Sequence, residues 1–597
     1  MPGPNRGLKE KPKNLKTSAV KFLKSLQPYK WSFIVICILA TVATALTIFG
    51  PKILGNMTTS ATESLESSGK IDWQPITNSL ITLIILYVVS AIISYIEGFI
   101  QTIVTARYAK KLREDILAKI SKLPMSYFDK VKYGDTLSRM TNDVDTITMS
   151  LSQSLTEIIT SITLVVGILI MMFSISGSLS LIAIISVPLS LIFVSRIMRK
   201  AQNYFRTSRT ALGTVSSTIE EDYTGQSIIK SNSHGKKSYL DFARDNENLY
   251  RSTWKAQFFS SLAFPIVHVF TNLSYILICI IGGLEAIKGA ITIGNVQAFI
   301  QYVNQFNRPI TEVASITATI QQTLAAAERV FNFLELPENT PDPVPARALK
   351  NVKGAVEFHD VNFSYDKVKP IIKNFSAKIA PGSQVAIVGP TGAGKTTIVN
   401  LLMRFYDPDS GYITIDGTPT TEITRSDVRT NFGMVLQDTW LFSGSIYDNL
   451  RYGRPSASLD EVKKSAKIAG IDHFIEALPH GYSAKIDEDS DNISAGEKQL
   501  LTIVRAMVAD PPMIILDEAT SNVDTRTEQL VQAAFDKLTH GRTSFVIAHR
   551  LSTIRNADLI LVMENGNIVE QGNHDELLKQ NGFYAKLYNS QFSAATN

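Results

Sequence analysis

At 597 residues, with 45% hydrophobic and 19% charged side chains, the chain has room for several domains and is unusually apolar for a soluble protein. A formal net charge of only +5, with no basic face interleaved with aromatic residues, argues against nucleic acid as a partner. Two cysteines, Cys37 and Cys279, both inside apolar runs, exclude a disulfide framework and a zinc site.

Residues 1–30 form a basic lead in which 15–30 is mildly amphipathic, so an interfacial helix is expected there. Further apolar runs follow, which is unlike a cleaved signal peptide. The runs lie at 31–50, 77–103, 154–174, 179–197, 257–283 and 292–317, each near the roughly 20 residues that cross a bilayer as a helix. Lys9, Lys11, Lys13, Lys16, Lys21, Lys24 and Lys30 precede the first run, and Arg107, Lys110, Lys111, Arg113, Lys119 and Lys122 follow the second. The loop between them, 56–75, holds Glu63, Glu66 and Asp72 against one Lys70. Positive charge marks the cytoplasmic side, so the N-terminus and everything after the sixth run are expected inside the cell.

A transmembrane domain is therefore expected over 31–335, with two long inner connections of helical period at 105–149 and 198–257. Pro, Gly and aromatic residues interrupt that period at 123–135 and 220–231, where short transverse helices at the cytoplasmic tips would meet the rest of the protein. Glu97, about 20 residues along the second run, is expected near the inner interface within reach of water. Gln297, Gln301, Asn304, Gln305 and Arg308 fall on one side of the last helix and suggest a water-filled substrate path.

The Pro-rich acidic stretch within 336–351 reads as a linker. From 352 to 590 the pattern becomes α/β, with strand-like segments at 356–365, 385–389, 513–517, 544–549 and 559–563. Between the second of these and a helical stretch stands Gly389, Pro390, Thr391, Gly392, Ala393, Gly394, Lys395, Thr396, followed by Thr397. A GxxxxGKT loop between strand and helix turns successive N–H groups toward phosphate, with the lysine on the β and γ phosphates and the threonine hydroxyl on Mg2+. ATP and Mg2+ are the expected cofactors.

These residues, their order and their spacing resemble the ATP-binding cassette (ABC) transporters, specifically exporter half-transporters with six membrane helices fused to one cassette. The resemblance covers nearly the whole chain. It implies a multidomain fold, an all-α six-helix transmembrane bundle joined to an α/β P-loop NTPase domain, in a bacterial plasma membrane. It further implies that Tyr365 stacks on adenine, that Gln437 and Asp517 hold Mg2+ together with Thr396, and that Glu518 polarises the attacking water. His549 would contact the γ-phosphate, and Ser521 and Asp524 would lie in a loop at the dimer interface.

One motif departs from the family. Its signature, LSGGQ, stands here as Ile493, Ser494, Ala495, Gly496, Glu497. The signature faces the ATP of a second half-transporter, and a carboxylate there weakens closure unless it turns away or pairs with Lys498. Intact hydrolytic residues beside an altered signature imply a heterodimer, with a homodimer as the other arrangement. The expected function is ATP-driven export of amphipathic small molecules, lipids or peptides by alternating access. An ATP-gated channel or regulatory membrane ATPase is the alternative on the same fold.

Overall fold

The structure, a computed structural model, describes residues 15–367, 369–436, 439–486, 493–517, 525–547 and 555–593. The chain divides into two compact units, one made of Met1–Ser121 and Lys132–Leu336, the other of Lys122–Val131 and Pro337–Asn597.

The first unit is helical. In chain order its elements and the tip helix between them are α1 (Leu15–Ser25), α2 (Lys30–Ile48), α3 (Gly50–Ser68), α4 (Trp73–Lys122), α5 (Met125–Lys130), α6 (Tyr133–Ser138), α7 (Val144–Ile175), α8 (Gly177–Thr224), α9 (Gln226–Ser231), α10 (Gly235–Ser261), α11 (Ala263–Ile287) and α12 (Ile293–Leu334). Among the described residues, five helical stretches are long and apolar enough to cross a membrane: Gln27–Ser68, Trp73–Lys122, Tyr133–Ile175, Gly177–Thr224 and Gly235–Ile287. The sixth, α12, has the length at 42 residues but mixes amides and charges into its sequence. At 1.5 Å per residue the 50 residues of α4 reach about 75 Å, far more than the ~30 Å hydrocarbon core. Short helices α5 and α9 stand where the helical period breaks.

Two expectations change. The polar stretch after residue 55 was expected as an outer loop, yet α3 continues to Ser68. Its hydroxyls bond back to carbonyls one turn earlier (Thr58 to Leu54 at 3.1 Å, Thr62 to Thr58 at 3.0 Å, Ser68 to Ser64 at 2.8 Å), which satisfies these polar groups within the helix. Gly69, at φ 65°, ends the helix in the left-handed conformation, its N–H reaching the Leu65 carbonyl at 3.0 Å. Glu97 is the second correction. It is only 7% exposed, and the Thr156 hydroxyl on α7 donates to it at 2.9 Å. Depth along the helix axis did not reveal which face it occupies, and that face packs on α7.

The core of this unit gathers Ile168, Met172, Leu179, Ile278, Phe299 and Tyr302, all fully buried. The Tyr302 hydroxyl meets its polar need by donating to the Ile48 carbonyl at 2.9 Å, where α2 ends.

In the second unit the strands are β1 (Val356–Phe363), β2 (Ile372–Ile379), β3 (Gln384–Val388), β4 (Ser410–Ile415), β5 (Thr418–Pro419), β6 (Phe432–Val435), β7 (Gly444–Ser445), β8 (Lys485–Ile486), β9 (Met513–Asp517), β10 (Thr543–Ile547), β11 (Leu559–Glu564) and β12 (Asn567–Gly572). One sheet, ordered β2-β1-β4-β5, is antiparallel. The larger, ordered β12-β11-β3-β10-β9-β6, is parallel except for its edge strand β12. Helix α13 (Lys395–Leu402) buries Ile398, Val399, Leu401 and Leu402 among side chains of both sheets. Trapped between two layers, α13 has its N-terminus fixed at the carboxyl end of central strand β3, the position where parallel sheets hold ligands.

Candidate nucleotide site

Strand β3 is apolar and buried on both faces, as a central parallel strand requires. Register pairing sets Ile387 of β3 beside Ile547 of β10, and Ile547 beside Asp517 of β9. The carboxyl ends of three neighbouring strands therefore converge at the Gly389 loop, Asp517 and Ile547.

The loop leaves β3 under tight restraint. A Cβ on Gly389 would come within 2.2 Å of the Met563 carbonyl oxygen on β11. Gly394 takes φ +102° as the cap of α13, where a Cβ would lie 2.7 Å from the Ile372 side chain. Lys395 folds back into this curl, donating from Nζ to the Gly389 carbonyl at 2.8 Å and the Pro390 carbonyl at 3.2 Å. It is 7% exposed. Burial pushes its pKa below the usual lysine value, and the charge of Asp517 opposes that shift. Thr396 is exposed at the first turn of α13, while Thr397 is buried.

The donor set fits a bound Mg-nucleotide. Loop N–H groups and a helix N-terminus suit phosphate, a desolvated ammonium gains from an anion, and a hydroxyl with a carboxylate suits an oxygen-seeking cation. Thr396 and Asp517 are the described residues that would hold the metal. Gln437, Glu518, Ser521, Asp524 and His549 lie outside the described residues.

Tyr365 borders the loop. Its hydroxyl bonds to Thr397 at 3.2 Å and accepts from Asn400 at 3.1 Å, both on α13. Its ring meets Phe363 and Tyr406 edge-on, with centroids 4.9 and 5.0 Å apart. About a third of Tyr365 stays exposed, enough to take a stacking partner. Tyr406 was not foreseen from the sequence, where it is one aromatic residue after a helix.

The signature residues start the helix Ala495–Ala509. Ile493 and Gly496 are buried, whereas Ser494 and Ala495 are exposed. Glu497 turns back to form a capping box: its carboxylate accepts from the Ser494 N–H at 2.8 Å and the Ser494 hydroxyl at 2.7 Å. Its charge thus meets Ser494, and among the described contacts it makes no pair with Lys498, one of the two arrangements considered.

In the first unit the polar stripe of α12 divides. Thr58 of α3 donates to the Gln297 amide oxygen, which engages that residue between helices. Gln301 is half-buried, Asn304 and Gln305 are exposed, and the Arg308 side chain lies outside the described set. Pro309 has no N–H to give the Gln305 carbonyl.

Comparison with known proteins agrees with this geometry. Residues 33–310 match the family model described as "ABC transporter transmembrane region", and residues 372–521 match that described as "ABC transporter". The chain is 41% identical over 605 residues to a fatty acid ABC transporter ATP-binding/permease protein of Mycobacterium bovis, covering 96% of each chain. It is 33% identical to an ATP-dependent lipid A-core flippase of Syntrophus aciditrophicus, covering 87% of this chain and 86% of the flippase. A solved structure of a bacterial Atm1-family ABC exporter with ATP bound aligns at TM-score 0.71 and 28% identity, covering 95% of this chain and 98% of that one. ATP hydrolysis at the cassette is coupled to transport, the cassette is cytoplasmic, and the helices cross the plasma membrane. The chain belongs to the ABC transporters, as an exporter half-transporter that works as a dimer.

Proposed function

We propose that the dimer exports lipid-like amphiphiles, fatty acids first among them, and that this chain pairs with a different half-transporter. The substrate reading is supported by the fatty acid and lipid A-core relatives and by α12, where Phe299, Tyr302 and Phe306 are buried while Asn304 and Gln305 are exposed. Amides exposed on a bundle helix suit a headgroup moving along a wet path. In this reading Gln301, Asn304, Gln305 and Arg308 line the path, and Gln297 serves the contact with Thr58.

At the nucleotide, Tyr365 stacks on adenine, Lys395 and the loop N–H groups hold the β and γ phosphates, and His549 contacts the γ-phosphate. Glu518 orients the attacking water and accepts its proton. Thr396, Gln437 and Asp517 hold Mg2+, which neutralises charge building on the phosphates. Ser521 and Asp524 face the partner cassette.

The observation that carries the coupled reading is the capped α13 with Lys395 drawn into the curl of its loop. In proteoliposomes, Glu518→Gln is expected to abolish ATP-dependent movement of a labelled fatty acid while ATP still binds. Movement that persists down a gradient without ATP turnover would instead mean a channel. Mass measurement of the purified complex tests the pairing: two copies of this chain alone would refute the heterodimer.

The signature carries a second prediction. Ser494 has one hydroxyl proton and gives it to Glu497, so a γ-phosphate from the partner's ATP must compete with a carboxylate. Glu497→Gln keeps an oxygen for the helix cap and removes the negative charge. It is expected to raise ATPase activity about three- to ten-fold, since charge repulsion beside a triphosphate is worth on the order of 1 kcal/mol in a partly wet interface. The melting temperature should change little. An unchanged rate would place Ser494 away from the partner's nucleotide.

A further inference from the structure

The cassette unit includes a segment of chain from far outside it, Lys122–Val131, which carries α5. Asn339 clamps the start of this segment, donating from its backbone to the Lys122 carbonyl at 2.9 Å and from its side chain to the Leu123 carbonyl at 3.2 Å. Further along, Asp129 accepts a hydrogen bond from the Tyr406 hydroxyl. Asp129 itself is exposed, and Tyr406 is half-buried.

Tyr406 is held through both its ring and its hydroxyl. Its ring packs nearly at right angles to the Tyr365 ring, centroids 5.0 Å apart at 87°, and against the Phe363 ring at 5.4 Å. Its hydroxyl is on Asp129. Burial, and then the adjacent Asp129 carboxylate, push this phenol well above the usual tyrosine value, so it remains a donor at cellular pH. Tyr365 is in turn tied through its hydroxyl to α13 by Thr397 and Asn400. Its ring is therefore tied through its hydroxyl to the phosphate-loop helix and packed at right angles to Tyr406. Edge-to-face pairs depend on angle and offset, so a purine that settles on Tyr365 and turns its ring must also turn or displace Tyr406. A tyrosine ring cannot bend, and the displacement reaches its hydroxyl and Asp129.

We propose that Tyr406 is a positioning residue that reports purine occupancy at Tyr365 to the Lys122–Val131 segment through Asp129. This deepens the proposed role of Tyr365 in taking adenine and rests on it. The route is distinct from the phosphate side of the site, because inorganic triphosphate can fill the loop around Lys395 without touching Tyr365.

Hydrogen–deuterium exchange on the full chain in lipid nanodiscs separates these terms. A non-hydrolysable ATP analogue is expected to slow exchange in 389–396 and to change exchange in 122–131 by about two-fold or more, as ordering of a local segment does. Inorganic triphosphate should protect 389–396 and leave 122–131 unchanged. In Tyr406→Phe the ring pair stays and the hydrogen bond is lost, so the analogue should protect 389–396 as in the parent while the response of 122–131 disappears. Asp129→Ala, which leaves both rings intact, should behave identically and guards against a folding defect in the first variant. A full response of 122–131 in either variant, or an equal response to inorganic triphosphate, overturns the relay. No protection of 389–396 by the analogue in the parent protein overturns the nucleotide reading beneath it.

Discussion

Lys395→Ala is expected to lower ATP hydrolysis by ~100-fold or more, the scale seen when one preorganised group facing developing charge is removed. Nζ sits within the curl of its own loop, 2.8 Å from the Gly389 carbonyl, so the charge is held in place before any phosphate arrives. Burial disfavours that charge and Asp517 only partly restores it, which leaves an ammonium that gains strongly from an anion. The same logic fixes the expected stability. Alanine removes a desolvated charge together with two hydrogen bonds to carbonyls, so the melting temperature should stay within a few degrees of the parent or rise. Lys395→Arg keeps the charge but needs room for a planar fork in a loop already pressed against Met563, and should also hydrolyse slowly. ATPase rates against nucleotide concentration, with a thermal scan on each variant, make the check. Retention of half the parent rate in Lys395→Ala would remove Lys395 from the chemistry.

What could be read from residues alone was whatever is local or periodic. The phosphate loop is a contiguous octapeptide whose chemistry depends on its own backbone, and it appears where the strand and helix around it implied. Membrane crossing follows from bulk hydropathy, and the short helices α5 and α9 stand where Pro and Gly break a helical period. The rest depends on partners distant in sequence or on which way a side chain turns. Tyr406 and Asp129 are 277 residues apart, and neither has a neighbour pattern that announces the other. Glu497 stands one residue from Lys498, yet the helix start directs it to Ser494. Strand β2 was missed although buried and exposed residues alternate from Phe375 to Ile379, and β4 was missed because it is exposed over its first half and is defined by pairing with β1. The extension of α3 to Ser68 was hidden because serine and threonine signal loops by composition, and composition does not show the back-bonds that satisfy their hydroxyls inside a helix.

Gly294→Val should have its largest effect on the bundle itself. Where α3 crosses α12 the two backbones touch: a Cβ on Gly294 would lie 1.8 Å from the Gly55 carbonyl oxygen and 2.4 Å from the Thr59 hydroxyl, and one on Gly55 would lie 2.4 Å from the Gly294 carbonyl oxygen. No rotamer change relieves a clash with backbone, so the helices must separate by more than a methyl's width. Around the crossing, Thr59 bonds to Thr292 at 2.9 Å and Thr58 to Gln297, and separation breaks both. Small residues at a helix crossing matter most inside a membrane, where close van der Waals approach replaces the hydrophobic effect as the force between helices. Overpacking in a core costs about 1–3 kcal/mol, and loss of two interhelical hydrogen bonds adds roughly 1 kcal/mol more. The expected result is a melting temperature in detergent lowered by several degrees and transport lost with it, even though the ATP site in the other unit is untouched. Gly283→Val serves as the comparison, because nothing lies within 4 Å of a Cβ at that glycine on α11. Equal melting temperatures for the two variants would mean that α3 and α12 do not meet through Gly55 and Gly294.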